Sequence, residues 1–128
     1  MDPMPRAWCL SPDPTTVPLA RQFVAGLLRS NGWDEERIGA AALLTSELTA
    51  NAVRHAASTY TLTVDLSQIR LRVDVADASP FPPTVRTAAS TADSGRGLAL
   101  VAALADRWGC EPSADGKSVW FEMVVEAD

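Results

Sequence analysis

Hydrophobic and polar positions follow two different periods along this chain, and the change of period divides it into elements. Leu19, Phe23, Leu27 and Leu28 recur at helical spacing after a lead containing Pro12, Pro14 and Pro18, and Gly32 is placed to close that helix. Asp34 then fits an N-cap, with Glu35 and Glu36 in the first turn, where the helix dipole favours negative charge. The segment 38–53 reads as one helix, free of proline and poor in strand formers, with Ile38, Ala41, Ala42, Leu48, Ala52 and Ala56 on one side. From Thr59 the period becomes two. Tyr60, Leu62, Val64 and Leu66 alternate with Thr59, Thr61, Thr63 and Asp65, and after Ser67-Gln68 the alternation resumes as Ile69, Leu71, Val73 and Val75. This predicts a hairpin of half-buried strands, although its turn lacks the usual Gly or Asn. Short strands are also predicted at 7–10, near 108–111 and over 117–125, the last two separated by Ala114-Asp115-Gly116.

Polar residues interrupt these apolar patterns at informative places. Glu47, Asn51 and His55 are spaced i, i+4, i+8 with Arg54 beside them, so all four project from one side of the second helix, bordered by Leu43 and Leu44. A lone glutamate is most simply a solvated one. With Asn51 one turn on and leucines alongside, a cleft is the better reading, and a carboxylate there has a raised pKa and can act as a general base. Asn51 can offer an oxygen to Mg²⁺, which often takes only one or two ligands from protein, or can cap a neighbouring loop. His55 is read as a structural, hydrogen-bonded residue. Asp77 continues the buried phase of its strand; it either turns into solvent before the following prolines or serves as an internal acceptor that needs a donor. The segment 78–95, with Pro80, Pro82 and Pro83, shows neither period and reads as a lid. Gly95-Arg96-Gly97 then opens a helix through Leu98, Val101, Ala102 and Ala105, an arrangement that can present backbone N–H groups to an anion.

Length and composition narrow the functional classes. A chain of 128 residues, 47% hydrophobic, predicts a single domain over 1–128 with a real core. Its net charge of −5 argues against nucleic acid, whose phosphates are met by clustered Lys and Arg. There is no apolar run long enough to span a bilayer and no signal-like start, so no membrane partner and a cytoplasmic location are expected. Cys9 and Cys110 read as buried small hydrophobes, and Trp8, Trp33, Trp108 and Trp120 as packing residues. Lys117 is the only lysine, which by itself carries no function.

In order, the chain presents a helix with E-x-x-x-N-A-x-R-H, a strand ending in Asp, a long lid, and G-x-G opening a helix. Together these resemble the GHKL (Bergerat-fold) ATP-binding domains, and specifically the bacterial anti-sigma-factor serine/threonine kinases. The resemblance covers nearly the whole chain, including the closing stretch from Gly116 to Phe121. It implies an α/β (α+β) two-layer sandwich with helices on one face of a mixed, mostly antiparallel sheet. It also implies Glu47 as general base, Asn51 as the Mg²⁺ ligand, Arg54 near the phosphates, and Asp77 as acceptor from the adenine amino group. Gly95, Arg96 and Gly97 would then meet the phosphates. ATP and Mg²⁺ follow as cofactors. A sigma factor or an anti-anti-sigma (antagonist) protein follows as partner, and a homodimer is in keeping with the family. The alternatives are a non-catalytic nucleotide- or partner-binding regulator and a free-standing ATPase. In one respect the chain departs from the family: the first glycine box, often D-x-G-x-G, reads Asp77-Ala78-Ser79-Pro80-Phe81 here.

Overall fold

A computed structural model of the chain describes residues 5–55, 58–79 and 103–124. In chain order the elements are β1 (Arg6–Leu10), α1 (Thr16–Ser30), α2 (Glu35–His55), β2 (Tyr60–Leu66), β3 (Arg70–Asp77), β4 (Arg107–Ser113) and β5 (Gly116–Val124). The strands form one sheet in the order β1-β2-β3-β5-β4. Every pairing among them is antiparallel, so the described part of the sheet is simpler than the mixed one expected.

Local chemistry explains where these elements start and stop. Pro18 falls in the first turn of α1, where its missing N–H would have had no helical partner anyway. At the other end the Gly32 N–H donates to the Arg29 carbonyl and the Trp33 N–H to that of Leu28, while Gly32 takes a φ of +79°. This is the paired-bond helix stop that glycine permits. α2 begins where Asp34 caps it: the Asp34 carboxylate accepts from the Arg37 N–H at 2.8 Å. In the β2–β3 turn the Ser67 hydroxyl oxygen accepts the Ile69 and Arg70 N–H groups at 3.3 and 3.1 Å. A side chain there supplies what Gly or Asn supplies through backbone freedom.

The two helices cover one face of the sheet. Ala20, Val24 and Leu28 of α1 and Ile38, Ala41, Leu44, Leu48 and Ala52 of α2 share one core cluster with Leu62, Val64, Leu71, Val73, Val75, Val119 and Phe121. Leu44 is thus a core residue, whereas Leu43 stays exposed on the polar side of α2. Buried hydroxyls on α2 are satisfied within the helix, Thr45 donating to the Ala41 carbonyl and Thr49 to that of Thr45, both at 2.8 Å. Across the interface between helix layer and sheet, the Tyr60 and Thr16 hydroxyls bond at 2.7 Å.

The opposite face of the sheet is closed by charged and aromatic side chains. Trp120 lies over Gly109, where a Cβ would come within 2.9 Å of the indole. The Arg72 guanidinium sits 4.2 Å from the Trp120 ring centroid, a cation–π contact. Buried Glu122 lies 3.5–3.6 Å from Arg70, Arg72 and Arg107. Both cysteines depart from expectation. Cys9 is exposed and Cys110 only partly covered, because in edge strand β1 it is Trp8 and Leu10 that pack on the core and Cys9 points the other way. No helix among the described residues is long and apolar enough to cross a membrane.

Gly32 offers a clean test of this helix stop, because a Cβ added there meets nothing within 4 Å. Gly32→Ala should therefore cost only the left-handed backbone strain, about 1–2 kcal/mol, and Gly32→Asn less. Urea denaturation with an unchanged m value is the measurement. A neutral Gly32→Ala would contradict the described stop.

Candidate functional site

α2 is 21 residues long, roughly 30 Å, and its two sides are chemically opposite. The side facing the sheet carries the buried residues named above. Glu47 and Asn51 lie on the far flank, one turn apart and half-buried, with Arg54 exposed one turn further on. Among the described residues neither Glu47 nor Asn51 has a hydrogen-bonding partner. Burial pushes the Glu47 carboxyl above the usual glutamate range, and the Arg54 charge partly opposes that shift. The flank thus presents a base of raised pKa beside an unshared carboxamide. No group of three His, Cys, Asp or Glu side chains able to hold a metal occurs among the described residues. A metal at this flank would rest on the Asn51 oxygen, with a ligand supplying further oxygens.

Asp77 is buried, as its phase in β3 predicts. Its partner is one that sequence reasoning passed over. In the β3–β5 register Asp77 stands opposite Lys117. The Lys117 Nζ lies 3.0 Å from Asp77 Oδ1, in an ion pair whose two side chains are only 4% and 3% exposed. The Ser79 N–H donates to the same Oδ1 at 2.8 Å. Both Asp77 and Lys117 continue the phases that place Val75 and Val119 in the core, so the pair lies on the helix-covered face. Cys110 is within electrostatic reach: burial raises its thiol pKa, Lys117 pulls it down, and Asp77 and Glu111 push it up.

Gly116, just before Lys117, was also missed. Its φ is +150°, and a Cβ there would collide with the Asp77 carbonyl oxygen and the Ala78 backbone. The start of β5 can press against Asp77 only because residue 116 has no side chain. The one sequence signal for Lys117 was its uniqueness, together with its place in phase with Val119 and Phe121 at the start of the last strand.

The structure thus describes two chemical centres, the α2 flank and the Asp77–Lys117 pair. No hydrogen bond or ion pair joins them among the described residues; they are linked through the core that Leu48 and Ala52 share with Val75. Gly95, Arg96 and Gly97, and 80–95 of the expected lid, lie outside the described residues, as does the side chain of His55. A separate surface hollow lined by Asp34, Glu36, Arg37, Ala40 and Met123 is at the beginning of α2. The helical rise from Asp34 to Asn51, about 25 Å, puts it far from the polar flank.

The profile of the histidine kinase-like ATPase domain matches residues 10–123. No curated protein sequence matches the chain. Among solved structures, the crystal structure of the RsbU and RsbW domains of Rv1364c from Mycobacterium tuberculosis is similar over 98% of this chain, with a TM-score of 0.75 and 19% identity. The chain spans 34% of the length of that protein chain, about a third, and at this identity the likeness is one of fold.

Breaking the buried pair by Lys117→Met should destabilise the protein by about 3–5 kcal/mol, because it leaves the Asp77 charge buried and uncompensated. Removing both charges, in Asp77→Asn/Lys117→Met, should recover most of that loss. A double-mutant cycle by urea denaturation reads the coupling, and additive single effects would show that the two groups do not act as a pair.

Proposed function

Because the chain belongs to the histidine kinase-like ATPase domain family, we propose that it binds Mg-ATP along the polar flank of α2 and transfers the γ-phosphoryl group to a protein hydroxyl. The observation that carries this reading is Glu47, half-buried, raised in pKa and one turn from Asn51, neither with a hydrogen-bonding partner among the described residues. In this reading Glu47 takes the proton from the attacking serine or threonine hydroxyl, and Arg54 offers charge to the phosphate oxygens. Asn51 holds the Mg²⁺, which when bound neutralises phosphate charge. Asp77 accepts from the amino group of the base, and the amides of Gly95 and Gly97, with Arg96, receive the phosphates under a lid formed by 78–95.

The resemblance to anti-sigma-factor kinases, and the fold shared with the RsbW-containing structure, support a small antagonist protein as substrate and a sigma factor as the regulated partner. A single domain over 1–128, a homodimer and a cytoplasmic location belong to the same reading. A second reading is a regulator that binds nucleotide or partner without transfer. The observation favouring it is the first glycine box, where Ser79 replaces a glycine and its amide is already bonded to Asp77. A free-standing ATPase, with Glu47 activating water, uses the same groups.

Two variants separate catalyst from scaffold. Glu47→Gln should bind Mg-ATP normally while transfer falls roughly 10²–10⁴-fold, because the carboxamide cannot accept the proton. Asn51→Ala should weaken Mg-dependent nucleotide binding and transfer together. The assay is phosphate transfer from labelled ATP to a candidate antagonist protein, beside nucleotide titrations. Wild type that binds Mg-ATP but transfers nothing, and that Glu47→Gln matches in every respect, would turn the reading to the non-catalytic regulator.

The pH dependence follows from the same group. A base with a raised pKa is lost to protonation as pH falls, so the acid limb of transfer should lie above the usual glutamate range. Arg54 lowers the Glu47 pKa, so Arg54→Ala should move that limb to higher pH. The folded-state pKa exceeds the unfolded one, so the folded protein binds the extra proton and stability falls as pH rises through the interval. Glu47→Gln should therefore be no less stable than wild type at neutral pH, as thermal melting would show.

A further inference from the structure

The Asp77–Lys117 pair is incompletely bonded for so buried a pair. Both recorded donors to Asp77, the Lys117 ammonium and the Ser79 amide, fall on Oδ1. Among the described residues Oδ2 has no donor, and two of the three Lys117 N–H donors have no acceptor. The two side chains are 3% and 4% exposed, yet Oδ2 is not sealed off, since among the described residues the fully buried side-chain N and O atoms without a partner are the Trp33 and Trp120 indole nitrogens. A ligand edge that offers a donor beside an acceptor would satisfy both.

We infer that Lys117 is a specificity-determining residue that reads the nucleobase together with Asp77, an inference that rests on the nucleotide-site reading above. Asp77 Oδ2 accepts from the 6-amino group of adenine, and the Lys117 ammonium donates to the neighbouring ring nitrogen N1. The occupancy of Oδ1 is what selects the base. A guanine edge offers two adjacent N–H donors, at N1 and the 2-amino group, and suits a carboxylate with both oxygens free. Here one oxygen is already held by Lys117 and the Ser79 amide. Guanine would place a donor in a buried site without an acceptor. Lys117 thus acts on both sides: it fixes the Asp77 carboxylate and adds a second point of contact. Gly116 makes this geometry possible by letting the start of β5 approach the Asp77 backbone.

The test requires no mutation in its first arm. Wild-type protein is titrated with Mg-ATP, with 1-deaza-ATP, in which a C–H replaces N1, and with GTP. Loss of a hydrogen bond to a charged group should weaken 1-deaza-ATP by roughly tenfold or more, with GTP weaker still. In the second arm Lys117→Met, checked for folding by thermal melting, should bind ATP more weakly and no longer distinguish it from 1-deaza-ATP. A purely structural lysine would weaken both nucleotides equally and leave their ratio unchanged. If Lys117→Met does not fold, the wild-type comparison decides alone. Equal wild-type affinity for ATP and 1-deaza-ATP, alongside a loss of ATP binding in Asp77→Asn, overturns the role of Lys117 while leaving the nucleotide site standing. Absence of any ATP binding by wild type overturns both.

Discussion

The burial of one side of α2 is the constraint on which the rest of this structure depends. A 21-residue helix lies over the sheet, and its contact side consists of Ile38, Leu44, Leu48, alanines and two threonines whose hydroxyls are satisfied by the preceding turn. Because no polar group on that side is left unpaired, the side can be desolvated fully, and the hydrophobic contribution of the interface is not offset by orphaned hydroxyls. The orientation of the helix about its axis is thereby set. Glu47 and Asn51 must then lie on the far flank, half-buried and without hydrogen-bonding partners among the described residues. The chemistry of that flank is a consequence of how the other side packs.

Much of this was legible in the chain. The Asp34 cap, the stop at Gly32, the two strand phases around Ser67 and the inward phase of Asp77 all follow from rules that act over a few residues, and all appear as read. The two-layer arrangement followed as well, because the apolar side of α2 and the apolar phases of β2 and β3 had to meet. What escaped were contacts set by register between distant segments. Asp77 and Lys117 are 40 residues apart, and being the one lysine of the chain gives no hint that a strand pairing brings Lys117 beside a carboxylate. Gly116 likewise looks like an ordinary turn glycine until β5 is seen pressed against the Asp77 backbone. Cys9 was misjudged for a related reason: only the register of an edge strand decides whether it is Cys9 or Trp8 that faces the core.

The candidate site groups share a physical property that bears on function. Glu47 is disfavoured as a charge by its burial, and the Asp77–Lys117 pair keeps bonding capacity that no other described residue uses. On the other face of the sheet, buried Glu122 lies within 3.5–3.6 Å of three arginines. In the nucleotide-site reading, the spare bonding capacity on the helix-covered face is what a bound ligand would use. The match of 10–123 to the histidine kinase-like ATPase domain gives that ligand its class, and the 19% identity to the RsbW-containing structure is consistent with a kept fold and altered detail. The altered first glycine box is one such detail. Here the Ser79 amide and Lys117 together hold the Asp77 carboxylate.

The most direct measurement of the central claim is a calorimetric titration of the wild-type protein with ATP, performed with and without Mg²⁺ and paired with thermal melting under the same conditions. The account predicts saturable binding that tightens when Mg²⁺ is present, and a melting temperature that rises with nucleotide concentration, since a ligand that binds only the folded state stabilises it by mass action. No binding heat and no shift in melting temperature up to millimolar Mg-ATP would contradict it.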